Sequence, residues 1–70
     1  MRYAVVIEKA DGNYSAYVPD LPGCVATGRT TAEAETEIRA AIRFHIDGLK
    51  EDGLPLPEPQ ATLTYVDAEA

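Results

Sequence analysis

The chain has only one cysteine and one histidine, and no tryptophan, among its 70 residues. One cysteine cannot form a disulfide within the chain, and one cysteine with one histidine supplies too few ligands for a zinc site. A free cysteine is compatible with a reducing cytoplasm, where we expect the protein to act. A chain of this length folds as a single domain, residues 1–70, and buries only ~60% of its unfolded surface. We therefore expect a homo-oligomer, a dimer or a tetramer, to supplement a marginal core.

Basic residues and long apolar runs are also scarce. Six Lys and Arg stand against twelve Asp and Glu, which gives a formal net charge of −6. This balance argues against a nucleic-acid surface, for which a basic face is expected, and favours basic partners. No apolar run approaches the ~18 residues of a membrane span, and the N-terminus lacks the pattern of a signal peptide. We therefore expect neither nucleic acid nor a membrane as a direct partner.

What the sequence does contain is a series of short strand-like runs around one helical stretch. Runs rich in β-branched and aromatic residues predict strands at residues 3–8, 14–18, 24–29 and 61–66. Alternating prolines predict an extended connector over residues 54–60. The order β-β-β-α-β predicts an α+β fold. In that fold a three-stranded antiparallel meander gains a fourth strand parallel to the first, and one helix covers one face.

The helix is predicted to begin at Thr30 and to stop at Gly53, which Pro55 follows. Thr30 and Glu33 match a capping box, in which the Thr30 hydroxyl accepts from the Glu33 N–H and the Glu33 carboxylate accepts from the Thr30 N–H. We interpret His45 as a core residue of the helix rather than as a catalytic base. The apolar stripe predicted to face the sheet consists of Ala34, Ile38, Ala41, Ile42, His45 and Leu49.

The loop after the second strand is the most constrained part of the chain. Pro19 and Pro22 each fix φ at about −65° and restrict the residue before them. Gly23 allows a backbone angle that other residues rarely adopt. A loop with so little freedom presents Asp20 and Leu21 in fixed positions, which suits recognition. The Asp20 carboxylate either caps the loop by accepting backbone N–H groups or contacts a basic partner, and the two roles are compatible.

Cys24, which follows this loop, is predicted to be a small buried strand residue. A nucleophilic cysteine needs a base beside it, and the single histidine stands on a different element. Free cysteines are among the most buried residues of proteins. Together with Pro19 and Gly23, we therefore assign Cys24 a structural role in the loop.

One helix covers only one face of the predicted sheet, and both alternating sets of first-strand residues are apolar. An uncovered apolar face of this size marks a protein contact. Phe44 and Ile46 lie off the helical stripe. They are either exposed anchors for another chain or covered by the connector through Leu54 and Leu56. The residues predicted to contact a partner are Tyr17, Asp20, Leu21, Pro22, Phe44 and Ile46.

In combination these motifs resemble the HicB-like antitoxin family. The resemblance covers residues 3–66 and implies a partial ribonuclease-H-like fold. It also implies a partner, a HicA-like toxin, which is a small basic protein that cleaves mRNA with a histidine. Many members carry a C-terminal DNA-binding domain, which we do not expect here. The matching residues are Pro19-Asp20-Leu21-Pro22-Gly23-Cys24, Gly28-x-Thr30, Glu33-Ala34, His45, Leu49 and Asp52-Gly53-x-Pro55-x-Pro57.

Two other functions remain open from the sequence. One is a stand-alone oligomeric module that binds or regulates without a toxin. The other is a ribonuclease-H-type nuclease, which needs several carboxylates around two metal ions. The first of these should lie inside the first strand, where Val5 and Val6 stand, with Glu8 only at its end. We therefore expect no enzymatic activity, no metal and no cofactor.

Overall fold

The structure of the chain, a computed structural model, describes residues 1–69. It contains, in order, β1 (Val6–Lys9), β2 (Tyr14–Tyr17), β3 (Val25–Gly28) and α1 (Thr31–Glu51). The strands pair antiparallel in the order β1-β2-β3, and α1 packs against all three. The predicted α+β class, with three antiparallel strands followed by one helix, is therefore confirmed.

The register of the strands decides which residues meet the helix. Ile7 of β1 aligns with Ala16 of β2, which aligns with Ala26 of β3. These three residues belong to the core or pack against it, so this row faces α1. Because side chains alternate along a strand, the neighbouring rows point to the opposite face, which α1 does not cover.

The core lies between the sheet and α1. Leu21 and Ile38 are its largest fully buried side chains, with exposures of 0% and 1%. Burying a side chain of this size contributes roughly 1.5–3 kcal/mol to the free energy of unfolding, so these two residues matter in a core this small. The buried core residues are Ala16, Val18, Leu21, Cys24, Ala34 and Ile38.

Gly28 sets how closely β3 approaches α1. A Cβ atom at this position would overlap the backbone nitrogen of Ala34 and lie 2.9 Å from its Cα. The last residue of β3 and the first turns of the helix can therefore touch only because position 28 has no side chain.

The ends of α1 follow the sequence closely. Thr30 is the N-cap, and its hydroxyl accepts a hydrogen bond from the Glu33 N–H at 3.0 Å. The reciprocal bond differs from the prediction, because Oε1 of Glu33 accepts from the N–H of Arg29 at 3.3 Å rather than from that of Thr30. At the other end Gly53 has φ of 68°, a left-handed conformation that ends a helix at low cost in glycine.

The predicted fourth strand, residues 61–66, does not form in this structure. We call these residues the C-terminal segment; they carry no strand assignment and are exposed. The N–H groups of Gln60 and Ala61 donate to the Asp20 carboxylate, each at 2.9 Å. Since these amides bond to a side chain near the end of β2, they are not available to start a ladder along β1.

Candidate partner-binding site

The loop between β2 and β3, residues 18–24, closes on itself through its backbone. The N–H of Val18 donates to the carbonyl of Cys24 at 3.2 Å, and the N–H of Cys24 donates to the carbonyl of Leu21 at 3.0 Å. Gly23 has φ of 82°, so the predicted need for an unusual backbone angle is confirmed. The loop is therefore rigid because of its own hydrogen bonds as well as its prolines.

Asp20 joins this loop to the end of the chain. Its Oδ2 atom accepts the N–H groups of Gln60 and Ala61, and nearby the Tyr3 hydroxyl donates to the carbonyl of Pro57 at 2.6 Å. Asp20 accepts backbone N–H groups, but it does not cap its own loop as predicted, because the donors lie 40 and 41 residues further along the chain. Contact between Asp20 and a basic partner stays a prediction.

Leu21 was predicted to contact a partner, and the structure contradicts this. Its side chain is fully buried and packs in the core with Val18 and Ile38. The rigid loop turns Leu21 inward, where it fills the end of the core, while Pro22 next to it is exposed. Leu21 is a core residue, and a partner could reach only the surface around it.

Cys24 lies in the same core, as predicted. Its side chain is 4% exposed, and burial raises the pKa of its thiol because an apolar environment disfavours the thiolate. A protonated, enclosed thiol is a poor nucleophile, so the loop offers no thiol chemistry to a substrate.

The uncovered face of the sheet forms a second candidate contact surface. We define the open face as the strand residues that point away from α1, which are Val6, Glu8, Ser15, Tyr17, Val25 and Thr27. Val6, Tyr17 and Val25 align as one apolar row across the three strands. Tyr17 is 40% exposed and Val25 is 65% exposed. A tyrosine flanked by two valines on an uncovered sheet face has the composition of an interface core.

Tyr17 is among the residues predicted to contact a partner, whereas its neighbours in this row, Val6 and Val25, are not. The missing information was the register, which decides that positions 6, 17 and 25 share one row. The Asp11-Gly12-Asn13 turn was a usable signal, since the geometry of a hairpin turn fixes the pairing of the strands that it joins.

Phe44 and Ile46 differ in how far α1 exposes them. Phe44 is 83% exposed and lies beside Arg39 and Arg43 on the outer surface of the helix. Ile46 packs against the core, and Leu56 of the connector lines a cavity with it. Ile46 therefore faces the core and the connector, whereas Phe44 points outward, on the side of α1 away from the sheet.

Catalytic or metal-binding clusters are a separate question. Within residues 1–69, no group of three or more His, Cys, Asp or Glu side chains is placed to hold a metal ion. Glu8 lies on the open face and Asp20 bonds to backbone amides, so the structure does not bring these carboxylates together. No helix in the described part of the chain combines the length and the apolar character that a membrane crossing requires.

Comparison of the sequence with known proteins shows which family the chain belongs to. The family model described as "HicB_like antitoxin of bacterial toxin-antitoxin system" matches residues 3–70. The chain belongs to this HicB-like antitoxin family.

Relatives of different lengths are similar to this chain in sequence. A 14.9 kDa protein of Haemophilus phage HP1 is 41% identical over 66 residues, which are 94% of this chain but 50% of the phage protein. A UPF0150 protein of Thermoplasma acidophilum is 44% identical over 62 residues, which are 87% of this chain and 90% of that protein. The chain thus spans half of the phage relative and nearly the whole archaeal one.

A solved structure shares the fold. A chain of the "HicA3 and HicB3 toxin-antitoxin complex" matches with a TM-score of 0.71 and 33% sequence identity. The match covers 84% of this chain and 70% of that chain. The three antiparallel strands and the helix therefore have a counterpart in a toxin–antitoxin assembly.

Proposed function

We propose that this protein is an antitoxin that neutralises a HicA-like, mRNA-cleaving toxin by binding to it. The observation that carries the proposal is the match of the fold, at a TM-score of 0.71, to a chain of a HicA3–HicB3 complex. The family match over residues 3–70 supports it. The site of action is the cytoplasm, where mRNA is found.

The open face is the surface proposed to bind the toxin. Its apolar row, with Tyr17 at the centre, offers contact area, and Glu8 is the charged strand residue on this face. The outer surface of α1 instead presents Arg39 and Arg43 beside Phe44. Glu8 attracts a basic toxin to the open face. On the helix surface Arg39 is paired with Glu35 at 3.0 Å and Asp47 lies beside Arg43, so the cations there are largely offset. The net charge of −6 adds a long-range attraction that speeds encounter.

The proposed mechanism is steric and requires no catalysis by the antitoxin. A preformed sheet face covers the RNA-cleaving site of the toxin, and a rigid surface loses little conformational entropy on binding. Magnesium-dependent RNA cleavage by the purified protein, abolished by Glu8→Gln, would contradict this non-enzymatic role.

The test is co-expression with a small basic HicA-like protein, sought among the products of the neighbouring genes. We expect the two proteins to co-purify and the antitoxin to restore growth. The double variant Tyr17→Asp/Val25→Asp should lose both effects, whereas Phe44→Asp, an equally disruptive change on the opposite surface, should keep them. If Phe44→Asp abolishes binding and the double variant does not, the toxin binds the helix and the open-face assignment is wrong.

We also propose that the protein self-associates. The chain is small, and its exposed apolar side chains include Tyr65 at 95% and Val66 at 83%. The alternative function, a stand-alone oligomeric module without a toxin, shares this property. Failure to co-purify with any adjacent basic protein, combined with a stable oligomer, would favour that alternative.

A further inference from the structure

The C-terminal segment combines a strand-like sequence with an exposed position. Its residues Ala61-Thr62-Leu63-Thr64-Tyr65-Val66 alternate and are rich in β-branched and aromatic side chains. Leu63 is 50% exposed, Tyr65 95% and Val66 83%. A segment of this kind, with unpaired backbone groups, is a template for pairing with another strand.

The start of the segment is fixed, so the strand-like residues project from a defined point. Asp20 accepts the amides of Gln60 and Ala61. Residues 61–63 then lie beside residues 2–5, with which they line a shared cavity. The segment therefore starts beside the residues that precede β1, while Tyr65 and Val66 further along it are exposed.

We propose that the C-terminal segments of two copies pair as antiparallel strands about a two-fold axis at Thr64. The inference deepens the proposed self-association and is independent of toxin binding. In this register each Leu63 lies opposite the Tyr65 of the other copy, and each Thr62 lies opposite its Val66. Such aliphatic–aromatic and β-branched pairs stabilise antiparallel strands. Each copy contributes the same residues to the contact, so the contact is isologous. The assembly is therefore complete as a dimer.

Charge selects this arrangement over a parallel one. In the antiparallel register Asp67 lies opposite Ala61 and Glu69 lies opposite Pro59, so no acidic side chains face each other. A parallel, in-register pair would place Asp67 opposite Asp67 and Glu58 opposite Glu58, and like charges directly opposite destabilise a strand pair. The partner strand that fits this sequence is therefore the same segment of a second copy, paired antiparallel.

Disulfide formation between full-length chains tests the register directly. Thr64→Cys places its thiol on the two-fold axis, within reach of its copy, whereas Val66→Cys lies about four residue spacings, roughly 13 Å, from its own counterpart. We expect Thr64→Cys to give a cross-linked dimer under mild oxidation, at least tenfold faster than Val66→Cys. The native Cys24 is buried, so the unsubstituted protein is the background control.

Other outcomes overturn the proposal. Equal, slow cross-linking of Thr64→Cys and of Phe44→Cys, an exposed position on α1, would show that the segments do not pair. Fast cross-linking of both Thr64→Cys and Val66→Cys would show a parallel pair. Fast cross-linking of a mixture of Glu8→Cys and Val66→Cys chains, with none for Thr64→Cys alone, would show that the segment pairs with β1 of the second copy.

Sedimentation separates this contact from self-association in general. Tyr65→Asp removes two Leu63–Tyr65 pairs at once, and we expect it to weaken the dimer about tenfold or more. Phe44→Asp, which changes another highly exposed aromatic residue elsewhere, should leave the dimer unchanged. A dimer that resists Tyr65→Asp would retain the self-association but refute the strand pair, and neither result depends on the toxin.

Discussion

The loop at residues 18–24 and the C-terminal segment make an instructive comparison. The loop has no regular secondary structure, yet Val18, Leu21 and Cys24 are buried and hydrogen-bonded to one another. The C-terminal segment has the alternating sequence of a strand, yet it is exposed. Burial in this chain therefore follows from where backbone hydrogen bonds find partners, and regular alternation alone does not provide a partner.

The largest expected effect comes from the buried side of this comparison. Leu21→Ala removes a fully buried side chain from a small core, and we expect it to lower the free energy of unfolding by about 2–5 kcal/mol. Urea denaturation followed by circular dichroism measures this loss. Leu54→Ala, at a position 52% exposed, is the matched control and should change stability by less than about 0.5 kcal/mol. Equal losses would mean that the loop is not part of the core.

Two glycines should respond in opposite directions to the same substitution. Gly28→Ala forces a Cβ against the backbone of Ala34, and we expect it to destabilise the protein by about 1–3 kcal/mol. Gly48→Ala meets no atom within 4 Å and lies inside α1, so it should stabilise by about 0.5–1 kcal/mol. Thermal unfolding of the two variants provides the measurement. A stable Gly28→Ala protein would contradict the close approach of β3 to α1.

A smaller effect is expected where the loop and the C-terminal segment meet. Asp20→Ala removes the acceptor for the amides of Gln60 and Ala61, which should cost about 1 kcal/mol at this partly exposed position. Hydrogen exchange should show those two amides losing protection while the amides of β2 keep theirs. Glu58→Gln, an exposed acidic residue of the connector, is the control and should leave both amides protected. Unchanged protection in Asp20→Ala would refute this contact.

Local signals explain most of what the sequence predicts correctly. Thr30 and Gly53 mark the ends of α1 because their effects act within a few residues, and the prolines and Gly23 constrain the loop for the same reason. Asp20 shows the limit. Its type and position predict that it accepts backbone N–H groups, but nothing local indicates that the donors are at positions 60 and 61.

The sequence did not predict which residues share the apolar row of the open face, or that Leu21 is buried, and the reasons are related. The row that contains Val6 and Val25 depends on strand register, which is a long-range property. Leu21 stands in a loop that looks exposed in sequence, and only the closed backbone of residues 18–24 turns it into the core. The missing fourth strand is the converse case, since its alternation is correct for a strand but its first amides bond elsewhere.

The smallest expected effect concerns Cys24. Because burial raises the pKa of its thiol above the ordinary value of 9.0, the folded state favours the protonated form. Its contribution to stability is therefore complete below pH 9.0 and is lost as the pH rises through the raised pKa. We expect native protein at pH 8 to react with iodoacetamide far more slowly than urea-unfolded protein. Equal rates would place the thiol at the surface.

Inhibition of RNA cleavage tests the central claim, that the open face of the sheet covers the toxin. Increasing amounts of the purified protein are added to a fixed amount of a HicA-like toxin, and cleavage of a model mRNA is measured. We predict that cleavage stops near one chain per toxin, that Phe44→Asp inhibits equally well, and that Tyr17→Asp/Val25→Asp fails while retaining its helical circular dichroism. Full inhibition by the folded Tyr17→Asp/Val25→Asp variant would contradict the account.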